Sequence, residues 1–123
     1  MKSVWRLEID REIQDGVLVL RLGGRLGTAS SGALIDAVIQ GLAEGYRAVM
    51  LDLQEIDYMS SAGLMAVDAS AGRARSQGGA LVLCAACDAV RLVLEFGGLL
   101  ADVPLEPSRA AGLERLRRES GPE

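Results

Sequence analysis

Histidine is missing altogether from the 123 residues. Without an imidazole there is no Ser-His-Asp or Cys-His activation of a nucleophile, no histidine ligand for zinc and no histidine proton shuttle. Most hydrolytic chemistry is thereby excluded. Lysine is reduced to Lys2, in the terminal segment, and the GxxxxGK[ST] phosphate loop is absent. Cysteine occurs only as Cys84 and Cys87, too few and too close together for the framework of a secreted disulfide scaffold. Aromatic residues make up 3% of the chain, so a core must be built from Leu, Val, Ile, Met and Ala. A basic surplus is lacking too. Thirteen bases against seventeen acids leave a net charge of −4, which excludes general binding to nucleic-acid phosphates. The longest apolar run, Ala80 to Cys87, falls far short of the ~20 residues of a membrane helix. Acids already at Glu8 and Asp10 interrupt any leader-like stretch. The expectation is a cytoplasmic protein without membrane insertion.

What is present is an alternation of periods. The length suits one domain, expected over residues 1–118 with a polar tail at 119–123. Val4–Ile9 and Val17–Leu22 read as strands joined by the turn Gln14-Asp15-Gly16, a hairpin. Gly23, Gly24 and Gly27 mark a loop. Thr28, Ser30 or Ser31 can then cap a helix with Leu34, Ile35, Val38, Ile39 and Leu42 at i, i+3, i+4 spacing, stopped at Gly45. The nearly continuous apolar run Ala48–Leu53 reads as a strand buried on both faces at the centre of a sheet. Asp57-Tyr58-Met59 is expected to be a loop leading to Ser60-Ser61 and a second helix with Leu64, Val67, Ala71 and Ala74 on one side. Ala80–Cys84 is another interior strand and Asp88–Phe96 a third helix, ended by Gly97-Gly98. A short strand is expected within Ala101–Leu105. Ser108 then caps a last helix carrying Ala111, Leu113 and Leu116, with Arg115, Arg117 and Arg118 at its negative pole. This succession predicts an α/β fold: a mixed, mostly parallel central sheet with an N-terminal hairpin and about four helices.

Three local patterns suggest chemistry. Cys84-Ala85-Ala86-Cys87 lies between a strand and a helix, the setting of a redox pair, although a strand-end cysteine is more commonly a small core residue. Gly23-Gly24 and Gly27 invite a dinucleotide loop, but Leu22 stands where the first glycine of GxGxxG would be, which leaves a turn. Asp52, Glu55 and Asp57 could gather around a hard cation, yet acids near a strand end are usually solvated. None of the three supplies a cofactor or a metal.

The segment from Val49 to Leu64, in which the strand Val49-Met50-Leu51-Asp52-Leu53 is followed by Tyr58-Met59-Ser60-Ser61-Ala62-Gly63-Leu64, resembles the signature of STAS domains of the anti-sigma factor antagonist type. The resemblance extends through Gln77-Gly78-Gly79-Ala80-Leu81 and Val90…Leu94…Phe96-Gly97-Gly98-Leu99. It implies a protein that is not an enzyme and that sequesters an anti-sigma factor, a serine kinase, until that kinase phosphorylates Ser61; a phosphatase then resets the switch. It places Ser60, Ser61, Gly63, Leu64, Met65 and Asp68 on the partner surface, with Arg25, Gly27 and Thr28 in a neighbouring loop. Two departures stand out. Ser60 occupies a position where many members have Asp, and so does Gly27. A STAS adaptor subunit of a membrane transport assembly, such as a lipid transporter's accessory, is the alternative the same resemblance implies.

Physics favours a regulatory serine at this point independently of the family. A helix start leaves N–H groups unpaired and carries partial positive charge, so it tolerates a phosphate. Ser60 and Ser61 can divide the work, one capping and the other exposed.

Overall fold

The computed structural model describes residues 6–120. Among them the elements run β1 (Leu7–Gln14), β2 (Val17–Leu26), α1 (Ser31–Ala43), β3 (Ala48–Met59), α2 (Ser61–Ser76), β4 (Ala80–Cys84), α3 (Asp88–Phe96), a 3₁₀ turn (Leu99–Ala101), β5 (Leu105–Glu106) and α4 (Arg109–Ser120). The sheet order is β1-β2-β3-β4-β5, with β1 antiparallel to β2 and every other pair parallel. The expected mixed sheet, its hairpin and the central place of β3 are all found.

Strand alternation decides what each face covers. Leu18, Leu20 and Leu22 of β2, Val49, Leu51 and Leu53 of β3, and Leu81 and Leu83 of β4 share one core with Leu34 and Val38 of α1, Val67 and Ala71 of α2, and Val90 and Leu94 of α3. The intervening residues Val17, Val19, Met50, Val82 and Cys84 point the other way and meet Leu113 and Leu116 of α4. Parallel crossovers of one hand, stepping in one direction along the sheet, put their helices on the same side. That leaves α4 alone on the reverse.

Several local expectations need correction. The first strand covers Leu7–Gln14, and the Val4 end of the expected strand lies outside the described residues. Asp15 and Gly16, both at positive φ, make the two-residue turn that a tight hairpin requires. Gly23 and Gly24 are strand rather than loop. They sit where the β2–β3 register shifts, and Gly24 at φ 98° lies so close to Arg6 O that a Cβ would collide with it. Asp57-Tyr58-Met59 is strand as well, because β2 and β3 stay paired out to Leu26 and Met59, well beyond the end of β4. The last strand is only Leu105–Glu106, since Leu99–Ala101 forms the 3₁₀ turn instead.

Candidate functional site

The projecting ends of β2 and β3 deliver the chain to the start of α2. Ser60 N donates to Leu26 O at 3.0 Å, which ties the entry of the helix to the neighbouring strand. Ser60 is extended (φ −92°, ψ 177°), and its Oγ accepts from Gly63 N at 3.2 Å while its carbonyl accepts from Leu64 N at 2.9 Å. This is an N-cap, and it satisfies one of the N–H groups that a helix start leaves open. Gly63 is buried beneath it, where a Cβ would collide with Leu26 O. Its role in the fold is close packing, and it is the one residue of the expected partner surface that is buried.

Ser61, the first residue of α2, is exposed, and its hydroxyl has no hydrogen bond among the described residues. One helical turn on, Met65 is 70% exposed, and Asp68 comes next on the same side. The start of α1 lies alongside: Ser31 Oγ donates to Gly27 O at 2.7 Å and lies 3.1 Å from Ala62 O. Neither helix has an acid in its first turn. Two positive helix poles therefore share one surface, and nothing anionic is built into either.

Of the other residues expected there, Thr28 is exposed in the β2–α1 turn, Gly27 and Arg25 are half-buried, and Leu64 is half-buried against Gly97. The Arg25 guanidinium lies 4.2 Å from the centroid of the Tyr58 ring. The α1 cap differs from expectation, because Ser30 stands at the cap position but makes no side-chain cap bond. Its Oγ accepts from Gly27 N and donates to Arg25 O, both at 3.0 Å, which folds the turn onto itself. Two surface residues were missed. Tyr58, on the projecting end of β3, is 41% exposed, and Phe96, the chain's one phenylalanine, is 87% exposed at the end of α3. No periodicity marks Phe96, since it stands at the last position of its helix.

The competing chemistries fare differently. Cys84 is buried under α4, where burial first and then the Asp52 charge push its thiol up to about 12, and Cys87 is exposed at the cap of α3. A thiol so hard to ionise is a poor nucleophile. Asp52 accepts from Arg109 at 2.8 Å rather than joining Glu55 and Asp57, and no group of three potential metal ligands occurs among the described residues. No helix among them is long and apolar enough to cross a membrane.

Known proteins share this fold. Residues 8–112 match the STAS domain family. A protein of Bordetella bronchiseptica named "Putative anti-sigma factor antagonist BtrV" is 39% identical over 97 residues, covering 79% of this chain and 84% of that one. The crystal structure of an anti-sigma factor antagonist from Mycobacterium paratuberculosis superposes with a TM-score of 0.85 at 24% identity, over 95% of this chain and 99% of that chain. The Bacillus cell fate determinant SpoIIAA in its phosphorylated form superposes at 0.69 with 18% identity, over 89% of this chain and all (100%) of that one.

Proposed function

As the chain belongs to the STAS domain family, we propose that it is an anti-sigma factor antagonist switched by phosphorylation of Ser61. The unmodified chain sequesters an anti-sigma factor that is also a serine kinase, and so releases a sigma factor. The kinase transfers the γ-phosphoryl group of ATP to Ser61 Oγ, with loss of the hydroxyl proton and departure of ADP. Binding then ends, and a phosphatase restores the hydroxyl. The chain acts in the cytoplasm as a binding module that is acted upon, and it touches no nucleic acid itself.

One observation carries this reading: at the start of a helix already capped by Ser60, Ser61 offers an exposed hydroxyl that the fold does not use. A phosphate there adds about −1.5 to −2 charge at pH 7. The helix pole tolerates it, so the domain keeps its fold. A partner seated over Ser61 and Met65 does not, because it would have to bury a dianion against an apolar side chain. The experiment is calorimetric titration of the anti-sigma kinase with Ser61→Ala and Ser61→Asp, together with mass spectrometry of the chain after incubation with that kinase and ATP. The expected result is label on Ser61 and a loss of about a hundredfold in affinity for Ser61→Asp, equivalent to ~2.7 kcal/mol, with Ser61→Ala near wild type. Label on Ser60 or Thr28, or equal binding by the two variants, contradicts the reading.

A further inference from the structure

We infer that the cleft between the β2–α1 turn and the end of β3 is a pocket for an apolar side chain of the anti-sigma partner, an inference that rests on the antagonist reading above. The cleft encloses about 310 Å³ and is walled by Gly27, Thr28 and Ala29 on one side and by the Tyr58 ring on the other. The Ser30 and Ser60 hydroxyls that line it are engaged within the chain, and Arg25 Nε is buried out of a visitor's reach. Ser30 Oγ is held between Gly27 N and Arg25 O, Ser60 Oγ caps α2, and the Arg25 guanidinium lies over the Tyr58 ring. An incoming polar group would give up water and gain little, whereas an apolar group leaves all of these bonds intact.

Gly27 is what keeps the cleft open. At Gly24 and Gly63 a Cβ would collide with backbone oxygens, so folding itself demands glycine there. Gly27 is different: its φ lies outside the left-handed region, and a Cβ would rest 3.4 Å from Ser60 Oγ and 3.9 Å from Tyr58 Cε2, in ordinary contact. The fold would accept a side chain at this position, and the space that its absence leaves is available to a visitor. That space is continuous with the switch, because Ser60 lines the cleft and Ser61 is the next residue. An anchor seated here brings the partner's surrounding surface against the Ser61 hydroxyl, where a phosphate would lift it out.

The test titrates the whole chain into the anti-sigma kinase as wild type, Ser61→Asp, Gly27→Ala, Gly27→Leu and Ala29→Trp. Thermal unfolding of each variant verifies its fold. Gly27→Leu fills the cleft from a half-buried position in its wall, and Ala29→Trp fills it from an exposed position, which keeps the test alive if the first variant fails to fold. Each is expected to lose at least about tenfold in affinity, and Gly27→Ala no more than about threefold. Wild-type affinity in a folded Gly27→Leu or in Ala29→Trp overturns the pocket while leaving the antagonist reading in place. A loss that vanishes at high salt assigns an acidic side chain drawn to Arg25 and overturns the apolar occupant. If the wild type itself does not bind, or Ser61→Asp binds equally well, the antagonist reading falls and takes the pocket with it.

Discussion

Two helices of this domain begin in the same way and do opposite things. At α2, Ser60 Oγ accepts from the N–H three residues on and Ser60 O from the fourth; at α4, Ser108 Oγ accepts from Ala111 N at 3.1 Å and Ser108 O from Gly112 N at 3.0 Å. The two capping serines make the same pair of bonds. Their next neighbours in the chain are not. Ser61 leaves its hydroxyl in solvent, whereas Arg109 turns its guanidinium onto Asp52 at 2.8 Å and Glu12 at 2.9 Å, with Gln14 at 3.4 Å. A cation at a helix start opposes the helix dipole, so Arg109 is there for those carboxylates rather than for α4. One start pins a helix to the reverse of the sheet, and the other leaves an exposed hydroxyl in solvent, as the proposed switch requires. A capping serine is therefore no evidence for a switch; the residue after it, and what that residue touches, is.

The strongest way to break this contrast is to cut the pinned end. The Asp52 side chain is 5% exposed, and Arg109→Met would leave its carboxylate buried without a countercharge, held only by the backbone bond from Gln54 N at 3.1 Å. Urea unfolding is expected to show a loss of about 3 kcal/mol. Adding Asp52→Leu, which removes the stranded charge, should recover most of it. The folded single variant should bind the anti-sigma kinase as well as wild type, since α4 covers the face opposite α1, α2 and α3. A stable Arg109→Met protein with weakened binding would show that the two helix starts are coupled.

Acid probes the same end more gently. The hydrogen bond and charge of Arg109 hold the Glu12 carboxyl below its usual range. A carboxyl whose pKa is depressed by folding contributes stability above its unfolded value, near pH ~4.3, and loses that contribution as pH falls through the folded value. Thermal midpoints measured from neutral pH downwards should therefore fall below about pH 4 in wild type and change less steeply in Arg109→Met. Parallel profiles would remove Arg109 from the acid response.

Most of the architecture was legible because it rests on period. Alternating residues such as Leu18, Leu20 and Leu22 against Val17 and Val19 specify two covered faces, and the helical spacing of Leu34, Val38 and Leu42 specifies one. The errors fall where pairing overrides local propensity. Gly23, Gly24 and the stretch Asp57-Tyr58-Met59 look like loop because glycine and acids are poor strand formers, yet β2 and β3 hold each other extended through two register shifts. At the candidate site, the Ser60 cap and the exposed Ser61 were readable from the serine pair and the helical pattern behind it. The Arg109–Asp52 bond was not, because it joins residues 57 apart and no local pattern pairs Arg109 with Asp52. The cleft beside Gly27 was invisible for the same reason: its other wall, Tyr58, was expected in a loop.

The smallest expected effect is the most discriminating, because it compares the two caps directly. Ser60→Ala leaves Gly63 N unpaired at a buried residue, and what then holds the entry of α2 is the backbone bond from Ser60 N to Leu26 O and the Ser31 Oγ bond to Ala62 O. A cost of about 1 kcal/mol is expected. Ser108→Ala removes the same kind of bond from an exposed position, where water can replace it and where the Arg109 bonds to Asp52 and Glu12 still hold the helix down. The cost should lie near the low end for caps, about 0.5 kcal/mol. In the Arg109→Met background that difference should close, since α4 would then depend on its cap as α2 does. If Ser108→Ala costs as much as Ser60→Ala in the wild type, the carboxylates do not share the load at α4, and the two helix starts differ only in what they display.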